Sequence, residues 1–166
     1  EPVGSIAPLQ TLSGPEIEEG LANLRQSAKV ILSYGHFITK DMKVELDRSA
    51  FRGVLPLIYT FLALSGHEIL STSYIGILRN GSMQEYGNTY GGGGGTLPGV
   101  KVTFRSGSSG NPRTIYYVQA NVADDALKGS DALLKWAGSF GTGNVYLKAA
   151  SYLMHENYFS RIRSFL

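Results

Sequence analysis

Hydrophobic and polar positions follow two different periods along this chain, and the change of period marks out its elements. Residues 1–12 carry Pro2, Gly4 and Pro8 and read as an extended lead-in. Ser13-Gly14-Pro15-Glu16 then matches a capping box, in which the serine oxygen accepts from an early helix N–H and Glu16 reaches back. Pro15 forfeits only an N–H that would go unpaired in the first turn. Ile17, Leu21, Leu24, Ala28 and Ile31 recur at helical spacing and Gly35 supplies a stop, so a helix is predicted over 13–34. A second helix is predicted over 49–65. There Phe51, Leu55, Ile58 and Leu62 form one stripe, while Val54, Leu57, Phe61 and Leu64 fill the other faces. A helix apolar nearly all round is a buried one. Pro56 lies inside it and should make it start late or kink.

From Ile69 the period drops to two. Runs over 69–78, 83–90, 100–104 and 113–122 are β-branched, aromatic and alternating, and predict four strands. Arg79-Asn80-Gly81-Ser82 joins the first two. Asn-Gly tolerates the two positive φ values of a type I′ turn, which predicts a tight hairpin. Helical signals resume at Asp124, with helices predicted over 130–138 and 145–166. In the latter, Tyr146, Ala150 and Leu153 share an inner face, and a restart at Asn157 turns Tyr158, Ile162 and Phe165 inward. The expected fold class is therefore α+β. An about four-stranded, mostly antiparallel sheet (roughly 68–122) packs against N-terminal (13–34, 49–65) and C-terminal (130–138, 145–166) helices. Blocks of one element type followed by the other exclude the alternation of a doubly wound sheet.

Composition narrows the chemistry. At 166 residues the chain reads as a single domain, 1–166. It has no cysteine, which excludes disulfide frameworks, zinc–thiolate and iron–sulfur sites, and thiol catalysis. Lys+Arg is 15 against Asp+Glu 13, and a net charge of +2 argues for neither nucleic acid nor an anionic membrane. The longest apolar block, 54–64, falls short of the roughly 20 residues that a spanning helix needs, so no transmembrane segment is expected. Glycine is 21 of 166, nearly double the usual ~7%, and five stand together at 91–95. A phosphate-cradling loop needs lysine and a hydroxyl directly after its glycines. Thr96-Leu97-Pro98-Gly99 follows instead, so the run reads as a connector between the second and third strands. No cofactor is expected.

Candidate chemistry is sparse. His36, His67 and His155 show no i, i+4 pair, so no zinc helix is expected and no metal site is assigned. His36 and His67 each follow a glycine after a predicted helix, where a histidine complements the helix C-terminus. Asp124-Asp125 suits a helix start for the same electrostatic reason. If 145–155 is helical, Lys148, Ser151, Tyr152 and His155 line one polar face, a weak nucleophile-and-base arrangement without the nucleophile-elbow motif. Tyr86 and Tyr90 flank the glycine run. Tyr116 and Tyr117, adjacent on a strand, point to opposite faces. One of that pair with Tyr86 and Tyr90 would make a carbohydrate-stacking platform.

Three stretches carry a resemblance: Thr114-Ile115-Tyr116-Tyr117 running to Ala123-Asp124-Asp125-Ala126-Leu127; Val145-Tyr146-Leu147-Lys148-Ala149-Ala150-Ser151-Tyr152-Leu153-Met154-His155 with the following 159–166; and the opening Glu1-Pro2-Val3-Gly4-Ser5-Ile6. Together they resemble a group of bacterial proteins of uncharacterised function that carry an exported leader. The resemblance implies a periplasmic, cell-envelope or extracellular location, and flanks longer than this chain. It brings no site residue with it. The abrupt apolar pattern at 159–166 and a first residue other than methionine carry the same expectation.

The residues lead to a non-catalytic envelope or extracellular domain that acts as a binding or assembly component. Its expected partner is a protein or a second copy. A hydrolase or transferase on the 148–155 face and a carbohydrate-binding module using the tyrosines are the alternatives, and catalysis is the less expected outcome.

Overall fold

A computed structural model describes residues 2–34, 50–89, 95–107, 110–141 and 156–165. The fold is α+β, with a four-stranded antiparallel sheet flanked in sequence by N- and C-terminal helices. The chain divides into two compact units, 1–72 with 102–117 and 73–101 with 118–166.

In the first unit the lead-in is not merely extended. β1 (Ser5–Ile6) pairs antiparallel with β2 (Phe51–Arg52), and a 3-10 turn over Leu9–Thr11 follows β1. The ribbon is tied down by backbone bonds from Val54 N–H to Pro2 O (3.1 Å) and from Leu55 N–H to Val3 O (3.0 Å). Gly4 and Gly53 meet back to back, both in the left-handed region at φ 77° and 72°. A Cβ on Gly53 would stand 2.5 Å from Gly4 Cα. That contact, and the φ it requires, is open only to glycine.

α1 (Gly14–Tyr34) starts where the capping box placed it. Glu16 Oε2 accepts from Ser13 N–H at 2.8 Å, as expected. The serine hydroxyl, however, donates to the same oxygen at 2.7 Å rather than capping a helix N–H. Both bonds hold the Glu16 carboxyl below the usual carboxylate range, the hydroxyl contributing most. Leu24 and Ala28 are buried as predicted, and Ile17 and Ile31 are half-buried, but Leu21 points out. Its neighbour Gly20 takes the inward position because the Phe51 ring fills that space, 2.5 Å from where a Cβ would stand. Leu24, Phe51 and Leu57 form the centre of this unit, with Ile6, Leu12 and Ile31 packed around them. Ser27 is fully buried on the same helix, and its hydroxyl has no hydrogen-bond partner among the described residues.

The second helix is shorter than the predicted 49–65. α2 spans Leu55–Leu64, with Pro56 in its first turn. Phe51 and Arg52 go to the ribbon instead, and Gly53 at positive φ separates the two elements. The late start that Pro56 predicted is observed. Burial nearly all round holds over 55–62, which are buried or half-buried, and ends at the C-terminus, where Leu64 is 74% exposed. α2 packs against α1 and the ribbon, and only its C-terminal end, Ala63 and Leu64, is left to solvent.

The sheet runs β4–β3–β5–β6, from β3 (His67–Ile77), β4 (Met83–Gly87), β5 (Leu97–Ser106) and β6 (Arg113–Val118). β4 and β6 stop short of the predicted 83–90 and 113–122, whereas β5 extends beyond 100–104 at both ends. Val100, Val102 and Phe104 are buried, and the alternate residues Lys101, Thr103 and Arg105 are half-buried, which is the period-2 pattern of a half-covered sheet. Lys101 pairs with Glu85 at 2.7 Å, and Arg105 pairs with Glu68 at 2.7 Å. The Lys101 ammonium holds the Glu85 carboxyl below its ordinary range.

The hairpin turn differs from the predicted type I′. Of its central residues only Gly81 has positive φ, 87°, and Asn80 does not. Gly81 N–H bonds Leu78 O, Leu78 N–H bonds Ser82 O, both at 2.9 Å, and Asn80 Oδ1 accepts from Ser82 N–H. This is a three-residue turn with glycine at the bulge, which needs one left-handed residue instead of two. Register also slips between Tyr74 and Ile75, which face Gly87 and Glu85 and leave Tyr86 as an extra residue.

The second unit also holds α3 (Asp124–Gly129), α4 (Ala132–Gly138), a 3-10 turn over Asn157–Phe159 and α5 (Ser160–Phe165). The 130–138 prediction corresponds to α4. Of the predicted 145–166 helix, 145–155 lie outside the described residues, and α5 begins after the 3-10 turn. Ile162 is buried and Phe165 half-buried as expected, but Tyr158 is 53% exposed.

Asp124 caps α5 from a distance. Its carboxylate accepts from the Ser160 hydroxyl and from Arg161 N–H at 2.9 Å. Those bonds, led by the hydroxyl, hold it below the ordinary aspartate range. The stability it contributes is therefore full above the unfolded-chain pKa and is lost as pH falls through the lowered folded value. Acidification into and below the ordinary aspartate range is expected to loosen α5, and Asp124→Ala is expected to do so at neutral pH. Hydrogen exchange at 161–165 reads both. Unchanged protection in the variant would show that the cap holds nothing.

Candidate functional site

The four residues of the weak catalytic arrangement, Lys148, Ser151, Tyr152 and His155, lie outside the described residues, as does Tyr90. His36 and glycines 91–94 also fall there. The described candidates are Tyr86, Tyr116, Tyr117, His67 and the aspartate pair.

Tyr86 is half-buried, and the edge of its ring at Cε2 and the hydroxyl stands against Gly76. A Cβ on Gly76 would meet ring carbon Cε2 and the Tyr86 hydroxyl at 2.9 Å. The ring covers a strand glycine, which is a packing role. Tyr116 and Tyr117 are both half-buried and both engaged in contacts. Their strand β6 and the Tyr86 strand β4 are the two edges of the sheet order.

His67 does not meet the end of α2 through Nδ1, which is buried without a hydrogen-bond partner among the described residues. Its ring packs at a 50° tilt against Phe104, with the centroids 5.1 Å apart. The aspartate pair divides its work: Asp124 caps α5, and Asp125 pairs with Lys128 at 3.1 Å.

Two shallow depressions lie among the described residues. The first, about 410 Å³, is bounded by Ser5, Glu16, Glu19 and Arg52. The second, about 450 Å³, is bounded by Arg79, Thr96, Ser130 and Asp131, with Gly95 from the end of the glycine run. Asp131 is tied to Lys135 at 2.9 Å, and that ammonium holds its carboxyl below the ordinary range. Glu16 is held down by Ser13. A general acid works best with a pKa near the operating pH. Glu16 and Asp131 are both pushed the other way, so these two carboxyls stand in the depressions as fixed charges and hydrogen-bond acceptors. Among the described residues no three His, Cys, Asp or Glu side chains gather as a metal site. No described helix is long and apolar enough to cross a membrane.

Sequence reasoning missed the exposed leucines. Leu9, Leu21, Leu32, Leu64 and Leu70 all stand out from the surface of the first unit. Leu21 was assigned to the core by spacing, and Leu64 by the apolarity of its helix. The signal that would have found Leu21 is Gly20 beside it, which competes for the inward position.

No protein family, curated protein or solved structure matches this chain.

Proposed function

We propose that this chain is a non-catalytic binding or assembly component of the bacterial envelope or extracellular space, acting through the apolar surface of its first unit. The observation that carries the reading is the exposure of five leucines there, from 40% at Leu70 to 74% at Leu64. Scattered exposed apolar residues are ordinary, whereas a contiguous apolar patch marks an interaction surface, and the reading takes these leucines as parts of one. Each leucine removed from water at a partner contributes about 1.5–3 kcal/mol. The resemblance and a chain with only 17% charged residues support the location.

The test is site-specific photo-crosslinking in the cells that make the protein. Probes at Leu32, Leu64 and Leu70 are expected to give discrete adducts with a protein, either a partner or a second copy. A probe at Thr103, on the ion-paired face of β5, should give none. Adducts equal in kind and amount at all four positions, or none at any leucine, overturn the reading.

A further inference from the structure

We propose that the outward stripe of α1, formed by Leu21, Arg25, Lys29 and Leu32, docks an acidic amphipathic segment of a protein partner; the proposal rests on the binding reading above and assigns it a surface and a partner chemistry. At 100° per residue the four side chains fall within a sector of about 80° on the helix. That sector borders the buried face at Ala28 and turns away from Leu24 and Ser27. Leu21 is 51% and Leu32 70% exposed, and they stand about 16 Å apart along the axis at 1.5 Å per residue. Arg25 and Lys29 lie between them, both exposed. Neither has a hydrogen bond or an ion pair among the described residues.

Two like charges one turn apart repel each other and destabilise a helix slightly. Here they are left uncompensated inside a leucine-bracketed stripe. A partner that sets carboxylates between two apolar anchors relieves the repulsion and buries both leucines. Glu18 closes the N-terminal end of the same sector and is also exposed. The partner's acids must therefore lie opposite Arg25 and Lys29 and clear of Glu18, which fixes their position along α1.

Charge also argues against a second copy on this face. In an antiparallel pair of α1 helices, the register that sets Leu21 against Leu32 also sets Arg25 beside Lys29. In a parallel pair Arg25 meets Arg25. Both arrangements place like charges together, a device that natural interfaces use to exclude wrong partners. An anionic lipid surface fits less well than a protein. Interfacial helices present a broad apolar face, whereas this stripe has two leucines, and Glu18 would be repelled.

The experiment uses the whole chain and a fluorescent helical peptide carrying two leucines at the spacing of Leu21 and Leu32 with glutamates between them. Anisotropy titration is expected to show binding that weakens with added salt. The double variant Arg25→Glu with Lys29→Glu is expected to bind about tenfold or more weakly, and to be rescued by the same peptide with lysines in place of the glutamates. Circular dichroism checks that the variant is folded. No binding of the glutamate peptide, or binding that the double variant leaves unchanged, overturns the proposal. Phosphatidylglycerol vesicles that bind the chain more strongly than the peptide does, and lose it in the double variant, overturn it in favour of a lipid surface. Should the peptide fail while probes at Leu64 and Leu70 still give adducts, the binding reading stands and the assignment to α1 falls alone.

Discussion

Alanine at Gly53 is expected to destabilise the protein by about 3 kcal/mol or more. Two costs add. A non-glycine residue in the left-handed region costs roughly 1–2 kcal/mol, and Gly53 sits at φ 72°. The new Cβ would also stand 2.5 Å from Gly4 Cα and 2.6 Å from Gly4 N, both backbone atoms that no rotamer change can move aside. The ribbon would have to open, at the expense of the bonds from Val54 and Leu55 to Pro2 and Val3. Gly4→Ala is expected to behave alike, because its Cβ would overlap the Arg52 carbonyl. Urea denaturation measures both. A midpoint within error of the parent for either variant would mean that the two glycines do not touch as described.

Leu57→Ala is expected to cost about 2–5 kcal/mol, the usual range for truncating a buried leucine. Leu57 is 1% exposed and packs with Leu24 from α1 and Phe51 from the ribbon, so the cavity would open where three elements meet. The matched control is Leu64→Ala on the same helix, expected to stay within about 0.5 kcal/mol because its side chain is in solvent. Comparable losses from the two variants would overturn the assignment of a buried body and an exposed C-terminal end to α2.

These two sites show what was legible in the sequence and what was not. The α+β class, the four strands and the positions of α1 and α4 follow from periodicity alone, because a run of apolar residues at spacing two or 3.6 has few ways to be buried. The start of α2 is a different matter. Residues 51–52 have the composition of a helix stripe, but they are claimed by a strand from the far end of α1. That pairing depends on the Gly4–Gly53 contact, and nothing local announces it. Leu21 fails for a related reason. Helical spacing admits either Gly20 or Leu21 inward, and the Phe51 ring, thirty positions away, decides. The hairpin was found from Asn80-Gly81, yet its type was missed. The dipeptide permits two positive φ values, and the chain uses one, with the Asn80 side chain bonding Ser82 instead. The candidate surface was the least legible part, since an exposed leucine and a buried one look the same until their neighbours are placed.

The cap on α5 imposes an order on local opening. α5 is six residues long, too short to hold itself in water, and its N-terminal hydroxyl and amide are satisfied by a carboxylate 36 positions earlier, in the first turn of α3. When α3 unwinds, Asp124 leaves with it and α5 loses its anchor, whereas α5 can lift away while α3 stays wound. The two helices are therefore a hierarchy rather than a pair. In native-state exchange the amides of 161–165 should open with those of 124–129 or before them, and never after.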